Sequence, residues 1–184
     1  MKEEDILRTA ERLGFSHAGF MAAADLCFIK EVRDMCAADR CHMYGRSWMC
    51  PPACGTLEEN AARASSFRRV LLVQTTARLE DAFDIDTMTR AEAEHKDRFI
   101  RLCDALRRET RCLPLGSGAC TLCPRCAYPD APCRMPQKAV PSMESFGLLV
   151  SGTCQAAGMK YYYGPGTLTY TSCVLLDEPG WPGC

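Results

Sequence analysis

The feature that most constrains the fold of this chain is a run of closely spaced cysteines in its second half. Cys120, Cys123 and Cys126 follow one another at two-residue gaps, and Cys133 comes after a gap of six residues. This spacing lets a loop turn around a compact inorganic core and bring several thiolates to it, as in iron–sulfur ligation. The last gap is longer than in the bacterial C-x2-C-x2-C-x3-C-P run, and Arg134 stands in place of the proline. The run predicts a [4Fe-4S] site in which Cys133 departs most from the known pattern.

Two alternatives stay open for the same four thiols, a structural zinc ion and a set of ordinary free thiols. Zinc usually draws its four ligands from two separated pairs that meet in space. Three cysteines in succession fit a cluster better, because its irons are spread over several ångströms and each can take one thiolate. Zinc is therefore the alternative cofactor at this loop, residues 120–136.

A second cysteine-rich loop covers residues 36–54. Gaps of four, eight and three residues separate its cysteines, which are Cys36, Cys41, Cys50 and Cys54. All four could hold one metal site, or the first three could hold three corners of a second [4Fe-4S] cluster and leave one iron open. An open iron is a Lewis acid that can bind a substrate, whereas a fully ligated cluster transfers electrons only. A structural zinc site or buried thiols are the alternatives here.

Composition decides between metal and disulfides. The chain has 14 cysteines in 184 residues, and its acidic start, Met1 to Asp5, does not resemble a signal peptide. This predicts a cytoplasmic protein, in which thiols stay reduced and clustered cysteines bind metal more often than they form disulfides. No apolar run approaches the ~20 residues of a membrane span. A net charge of −1 gives no sign of a nucleic-acid or membrane partner.

The remaining candidate residues divide into core and site. Cys103 and Cys154 fall on apolar helix faces and are predicted to pack in the core. His95 lies on an apolar stripe, which favours a hydrogen-bonded core residue. His42, next to a loop cysteine, is a candidate ligand or proton donor, and Trp48 could shield the first loop from water.

One glycine-rich segment could suggest a dinucleotide-binding loop. Gly116-Ser-Gly118 is taken to follow a helix and lacks the third glycine of a dinucleotide fingerprint. The sequence therefore predicts no flavin or nicotinamide site.

Hydrophobic periodicity predicts alternating helices and strands. Helices are expected over residues 4–13, over residues 57–67 after a capping box at Thr56-Leu-Glu-Glu59, over residues 86–111 and, as one helix, over residues 142–157. A further helix that Asp25 can cap would carry Leu26, Ile29, Arg33 and Cys36 on one face. Strands are expected over residues 17–21 and 70–76, and a hairpin over residues 160–176. The predicted fold is an α/β or α+β single-domain sandwich, residues 1–178, with about four strands flanked by helices, followed by a tail over residues 179–184.

The cysteine motifs also carry a resemblance to a known family. They are Cys36-x4-Cys41-x2-Tyr44-Gly45-x2-Trp48-x-Cys50-Pro51-Pro52, then Cys120-x2-Cys123-x2-Cys126-Ala-Tyr-Pro, Pro-Cys133-Arg-x-Pro136 and Pro141-Ser-Met-Glu144-x2-Gly147. Over about residues 5–176 the chain resembles an uncharacterised family of prokaryotic predicted metal-binding proteins, common in anaerobes. The resemblance implies that the seven cysteines in these motifs bind metal. It supplies no reaction, and Cys54 lies outside its pattern.

The leading hypothesis is an iron–sulfur protein that transfers electrons or acts as a small redox enzyme. One [4Fe-4S] cluster is expected on residues 120–133 and a second on Cys36, Cys41 and Cys50. The partner would be a redox protein or a small-molecule substrate, neither of which the sequence identifies. The alternative is a zinc-stabilised binding or sensor module without turnover, which chelators would unfold.

Overall fold

A computed structural model of the chain describes residues 2–177. The predicted tail over residues 179–184, and Cys184 with it, lies outside the described residues.

The described chain contains six α-helices and four strands. In chain order the elements are α1 (Glu3–Arg12), β1 (His17–Ala22), α2 (Lys30–Ala37), α3 (Leu57–Ser65), β2 (Arg69–Arg78), α4 (Ile85–Arg107), β3 (Cys112–Leu115), α5 (Met143–Phe146), α6 (Val150–Ala156) and β4 (Thr167–Leu176). A short 3-10 turn, Ala23–Asp25, follows β1. The helix predicted to begin directly after Asp25 begins only at Lys30, because Leu26 and Ile29 are extended and Phe28 forms a β-bridge with Leu148. The two cysteine-rich loops are the long irregular connections between α2 and α3 and between β3 and α5.

The four strands form one antiparallel sheet in the order β1-β2-β4-β3. Strand β2 is central, as its apolar sequence predicts, and Leu71 pairs with Phe20 on one side and Val174 on the other. The all-antiparallel pairing makes the fold α+β, which confirms the predicted class.

Each face of the sheet carries its own hydrophobic core. Because strand side chains alternate, Val70 and Leu72 of β2 enter one core while Leu71 and Val73 enter the other. Helices α3, α5 and α6 cover the first face, and α1 and α4 cover the second. The result is the predicted sandwich of helices on both faces of a four-stranded sheet.

The predicted core residues are buried as expected. Cys103 and Cys154 lie in opposite cores. The ring of His95 is fully buried, with Nδ1 2.9 Å from Thr75 Oγ1 and Nε2 2.8 Å from Ser172 Oγ. Burial lowers the pKa of His95 to about 3, so this imidazole is neutral at physiological pH.

The predicted hairpin is wrong in its first strand. Residues 160–163 form no strand, and Tyr161 and Tyr162 are exposed. The segment is instead hydrogen-bonded to the side chain of Gln74 on β2. Lys160 O accepts a hydrogen bond from Gln74 Nε2, and Tyr163 Oη donates to Gln74 Oε1. A buried glutamine on β2 thus holds these residues outside the sheet.

Strand β3 completes the four-stranded sheet. It lies between the long helix α4 and the second cysteine loop, where the sequence predicts only a connecting segment. Pro114 argues against a central strand because it cannot donate to the ladder. Strand β3 is at the sheet edge and pairs only with β4, where a proline is tolerated. Gly116 therefore follows a strand, and the prediction that it follows a helix is wrong.

The single helix predicted over residues 142–157 is divided in two. Gly147 ends α5 with φ +99°, a left-handed conformation that favours glycine. A Cβ at this position would overlap Leu57 Cδ1 at the start of α3. The break therefore brings α5 against the segment that follows the first cysteine loop.

Within the described residues, no helix is both long enough and apolar enough to cross a membrane.

Candidate metal centres

The carboxy-terminal cysteine loop, residues 120–136, belongs to an excursion whose two ends are tied together. Gly116 N donates to Pro141 O at 2.8 Å, and Met143 N donates to Gly116 O at 3.0 Å. The chain thus leaves the sheet edge and returns beside the point where it left. Closing the excursion at its base fixes the start and end of the loop without regular structure between them.

A few hydrogen bonds shape the loop inside this excursion. Arg134 Nη1 donates to Arg125 O at 2.8 Å, and Ala131 N donates to Ala127 O at 2.9 Å. Lys96 of α4 donates from Nζ to Ala119 O at 3.0 Å, directly before the first cysteine. The Arg134 side chain therefore helps to hold the loop closed.

All four cysteines of this loop line one open cavity of about 660 Å³, and each is half-buried. They are Cys120, Cys123, Cys126 and Cys133. Burial raises the pKa of the Cys120 thiol, and negative charge on the other three would raise it further. The four sulfur groups are therefore close enough to act on one another electrostatically.

Cys126 differs from its neighbours in its hydrogen bonds. Slight burial raises the pKa of this thiol, but the backbone N–H groups of Tyr128, Trp48 and Ala127 and the Ser47 hydroxyl outweigh burial and lower it. Donors aimed at a sulfur favour the thiolate, which is the form that binds metal. Two of these four donors, Ser47 and Trp48, belong to the other cysteine loop.

The amino-terminal cysteine loop, residues 36–54, is held by the helices at its ends. Helix α2 carries Cys36 in its last turn, and Cys54 N donates to Cys50 O at 3.1 Å in a tight turn. Thr56 then caps α3, its hydroxyl accepting from Glu59 N at 3.1 Å while Glu59 Oε2 accepts from Thr56 N at 2.8 Å. The capping box predicted from the sequence thus fixes where the loop ends.

The thiols of this loop range from buried to exposed. Cys50 and Cys54 are 8% and 9% exposed, Cys36 is half-buried and Cys41 is exposed. Burial, together with neighbouring thiols including Cys54 and Cys41, raises the pKa of Cys50 to about 11. Burial also raises the pKa of Cys36, and negative charge on Cys41 and Cys54 would raise it further. The structure therefore brings Cys54 together with the three cysteines of the family motif.

A guanidinium group lies against this loop. Arg33 of α2 places Nη1 3.6 Å from Cys54 Sγ, and its Nη2 donates to Gly55 O at 2.9 Å. Nη1 also donates to Ser145 O, the carbonyl to which the Cys54 thiol donates at 3.4 Å. Burial raises the pKa of Cys54, and the nearby charge of Arg33 opposes this rise. Arg33 thus provides fixed positive charge beside a buried sulfur.

The two cysteine loops meet along residues 47–48. Trp48 Nε1 donates to Ala131 O at 3.0 Å, and the Trp48 ring packs edge-on against Tyr128 with centroids 4.9 Å apart. Ser47, which is 2% exposed, and Trp48 belong to the amino-terminal loop but line the cavity of the carboxy-terminal one. Trp48, predicted to shield the first loop, therefore joins the two loops.

A second cavity of about 610 Å³ lies between the loops and is lined by one cysteine from each, Cys54 and Cys133. Two cationic side chains, Arg63 and Arg107, also line it, and no carboxylate of the described residues does. Trp48, several prolines and other apolar side chains form the remaining wall. This wall suits a small anionic molecule with an apolar part.

Other candidates lie apart from these groups. His42 is exposed and has a positive φ of 57°, and nothing in the structure gives it a partner role at the thiols.

Within residues 2–177 all thirteen cysteines are free, and no three Cys, His, Asp or Glu side chains are arranged to hold a single metal ion. The thiols line a shared space and are not gathered around a point. Four thiols spread around so large a cavity fit a polynuclear cluster better than a single ion.

Sequence reasoning missed three residues that shape the site, Arg33, Ser47 and Ser145. The first was assigned only to a helix face, and the other two lie in segments without periodic pattern. The family motif Pro141-Ser-Met-Glu144-x2-Gly147 leaves position 145 unspecified, so its only signal for Ser145 is that the residue directly follows Glu144.

Comparison with known proteins agrees with the motifs. Residues 19–176 match the family model described as "Predicted metal-binding protein (DUF2284)". No curated protein and no solved structure matches the chain.

Proposed function

The chain belongs to this family of predicted metal-binding proteins, and we propose that the metal it binds is iron, in [4Fe-4S] clusters. Cys120, Cys123, Cys126 and Cys133 would hold one cluster. The observation that carries the proposal is that these four thiols, and no other cysteine of residues 2–177, line the same cavity of about 660 Å³. Such a space is far larger than one ion needs, and cysteine thiolates are the ligands of iron–sulfur clusters.

The second cluster would be held by Cys36, Cys41 and Cys50, with Cys54 beside them. Mutual electrostatic effects among these thiols support a shared site. Metal binding would release their protons, since a coordinating thiol is deprotonated. Arg33 would then offset part of the negative charge that the thiolates bring into a buried place.

The function that these sites support is electron transfer in the cytoplasm. Iron–sulfur clusters accept and return electrons at potentials set by hydrogen bonds to sulfur and by exposure. The carboxy-terminal thiols are all half-buried and would be accessible to a redox partner protein, whereas the amino-terminal loop combines two buried thiols, Cys50 and Cys54, with the exposed Cys41. Free thiols in this number are typical of a reducing compartment.

One observation favours a small reductase as a second candidate function. The cavity between the loops places Arg63 and Arg107 with Cys54 and Cys133, so an anionic substrate bound there would lie beside both sites. Replacing both arginines with glutamine should slow reoxidation of the reduced protein by an anionic acceptor and leave a neutral acceptor unaffected. Equal rates with both acceptors would exclude a substrate role for this cavity.

Metal analysis tests the main proposal. Protein purified without oxygen should contain iron and acid-labile sulfide, show a broad visible absorption, and give an EPR signal after dithionite. A colourless protein that holds stoichiometric zinc, even after reconstitution with iron and sulfide, would instead support the zinc-stabilised module.

A further inference from the structure

A third cavity, of about 390 Å³, is formed by parts of the chain outside the cysteine loops. It is bounded by the turn between α1 and β1, by the last residues of β2 and by the first half of α4. Of the described residues that line it, none belongs to either cysteine loop. The candidate metal centres therefore do not account for this cavity.

The charges around this cavity are unequal. Three arginine side chains line it, Arg78 at the end of β2 and Arg90 and Arg98 on α4. Glu94 is the one carboxylate among the described residues of the lining. The wall therefore has an excess of positive charge, although the whole chain has a net charge of −1. A concave surface with such an excess attracts anions. We call this space the arginine cavity.

The side chain of Arg98 is held in place from two sides. Its Nη2 donates to Glu94 Oε2 at 2.8 Å, and its guanidinium group packs on Gly14, where an added Cβ would lie 3.3 Å from Nε. Gly14 has a φ of +89°, a conformation that favours glycine. A guanidinium group that is already positioned loses less conformational freedom when it binds an anion.

The other two arginines have N–H donors left for a ligand. Arg90 Nη2 donates to Thr87 Oγ1 at 3.1 Å, and the Arg90 charge also acts on Asp84, the N-cap of α4, which does not line the cavity. A guanidinium group has five N–H donors, so Arg90 keeps others. Arg78 is exposed, and no side chain of residues 2–177 forms a hydrogen bond or ion pair with its guanidinium group.

Hydroxyl groups form much of the remaining wall. Ser16 Oγ accepts from Thr76 N at 3.0 Å, which fixes the oxygen and leaves the hydroxyl hydrogen to donate. Thr75 Oγ1 lies 2.9 Å from Nδ1 of the buried His95. Among the described residues, no aromatic side chain and no aliphatic one larger than alanine lines the cavity. The wall therefore suits a compact polar ligand better than an apolar one.

We propose that the arginine cavity binds a small phosphorylated anion through Arg78, Arg90 and Arg98. Arginine suits this ligand because its planar guanidinium group can donate two parallel hydrogen bonds to phosphate oxygens. Three such groups favour an anion with several negative charges, such as a diphosphate. Glu94 positions Arg98 but also repels the anion. The site needs no metal, so this inference does not depend on the proposed function.

Isothermal titration calorimetry of the full chain with pyrophosphate, at fixed ionic strength, tests the site. The wild type should bind one pyrophosphate per chain, and more tightly than inorganic phosphate. Replacing both Arg78 and Arg90 with glutamine should weaken pyrophosphate binding about tenfold to hundredfold, because two charged donors are lost. Both side chains are exposed, so the fold should be kept, which circular dichroism checks.

Two further variants separate a built site from a general effect of charge. Glu94→Gln removes the carboxylate of the cavity wall and should tighten pyrophosphate binding several-fold, which a loss of structure would not do. Arg101→Gln is the matched control, because Arg101 is an exposed cation on the same helix outside the cavity. It should leave the affinity unchanged.

Three results would overturn the inference. The first is a wild type that does not bind pyrophosphate at millimolar concentration. The second is equal weakening by Arg101→Gln and by the double substitution, which would indicate general attraction to surface charge. The third is equal binding by all variants, which would place the anion elsewhere, for example on bound metal. None of the three would affect the proposal that the cysteine loops bind iron.

Discussion

The two cysteine loops provide the same donor atoms in opposite surroundings. In the amino-terminal loop, burial and neighbouring thiols raise the pKa of Cys50 to about 11, and the main compensating charge is the Arg33 side chain. In the carboxy-terminal loop, backbone N–H groups and a hydroxyl lower the pKa of Cys126. One loop is held mainly by the helices at its ends, and the other by the hydrogen bonds at its base, by its own backbone and by residues 47–48 of the first loop.

This difference separates two ways to hold metal. A site stabilised by packing should fail when the surrounding helices are disturbed, even if its cysteines are intact. A site formed by an irregular loop should depend on its own ligands and tolerate changes elsewhere. When a substitution disturbs one loop, the other loop serves as an internal reference.

The largest effect is expected from removing ligands of the carboxy-terminal loop. Replacing both Cys123 and Cys126 with serine should abolish that cluster and lower iron and sulfide to about half of the wild-type content. The control is Cys27→Ser, since Cys27 is exposed and outside both loops. Iron and sulfide analysis measures the result. Loss of all iron would mean that the loops do not bind independently.

Replacing Gly147, which lies outside both cysteine loops, should destabilise the amino-terminal site. Gly147→Ala should lower the free energy of unfolding by about 2–4 kcal/mol, because its φ is positive and its Cβ would overlap Leu57. The shift would also displace Ser145 O, which holds Arg33 and Cys54.

Urea denaturation checks this value. Gly152→Ala is the matched control, because Gly152 lies in α6 with ordinary space for a Cβ and alanine favours helix. Equal stability of the two variants would show that the left-handed turn is not needed.

Arg33→Met should destabilise the amino-terminal loop by about 1–3 kcal/mol, because two carbonyl oxygens lose a charged donor. It should also lower the potential of the cluster in that loop, because positive charge beside a thiolate favours the reduced state. Thermal unfolding and a redox titration measure the two effects. Lys30→Met removes an exposed cation from the same helix and should change neither. An equal change at both clusters would contradict the assignment of Arg33 to one loop.

The smallest effect is expected from the contact between the loops. Trp48→Phe keeps the ring contact with Tyr128 but loses the bond to Ala131 O, at a cost of about 0.5–1.5 kcal/mol. Urea denaturation measures it, with the exposed Tyr44→Phe as control. A variant as stable as the wild type would show that packing alone joins the loops.

The predictable part of the fold is the part with periodic sequence. Helix α3 begins where its capping box predicts, and the buried run at Val70–Val73 forms the central strand. The errors fall where local signals conflict with tertiary context. Pro114 argued against a strand but lies in the edge strand β3. Gly147 ends helix α5, although the apolar spacing of the sequence continues beyond it.

The sequence by itself determined which residues form the two cysteine loops, because ligand spacing is local, and it determined a layered sandwich of helices and about four strands, because burial follows periodicity. Whether the class was α/β or α+β was decided only by the antiparallel strand pairing. The tertiary structure alone decided that Arg33 meets Cys54 and Ser145, and that Ser47 lies between the loops. Trp48 and Ala131, for example, are 83 residues apart in the chain and share a hydrogen bond. Contacts between irregular segments have no repeat in the sequence, so only the packing of the sheet and helices brings them together.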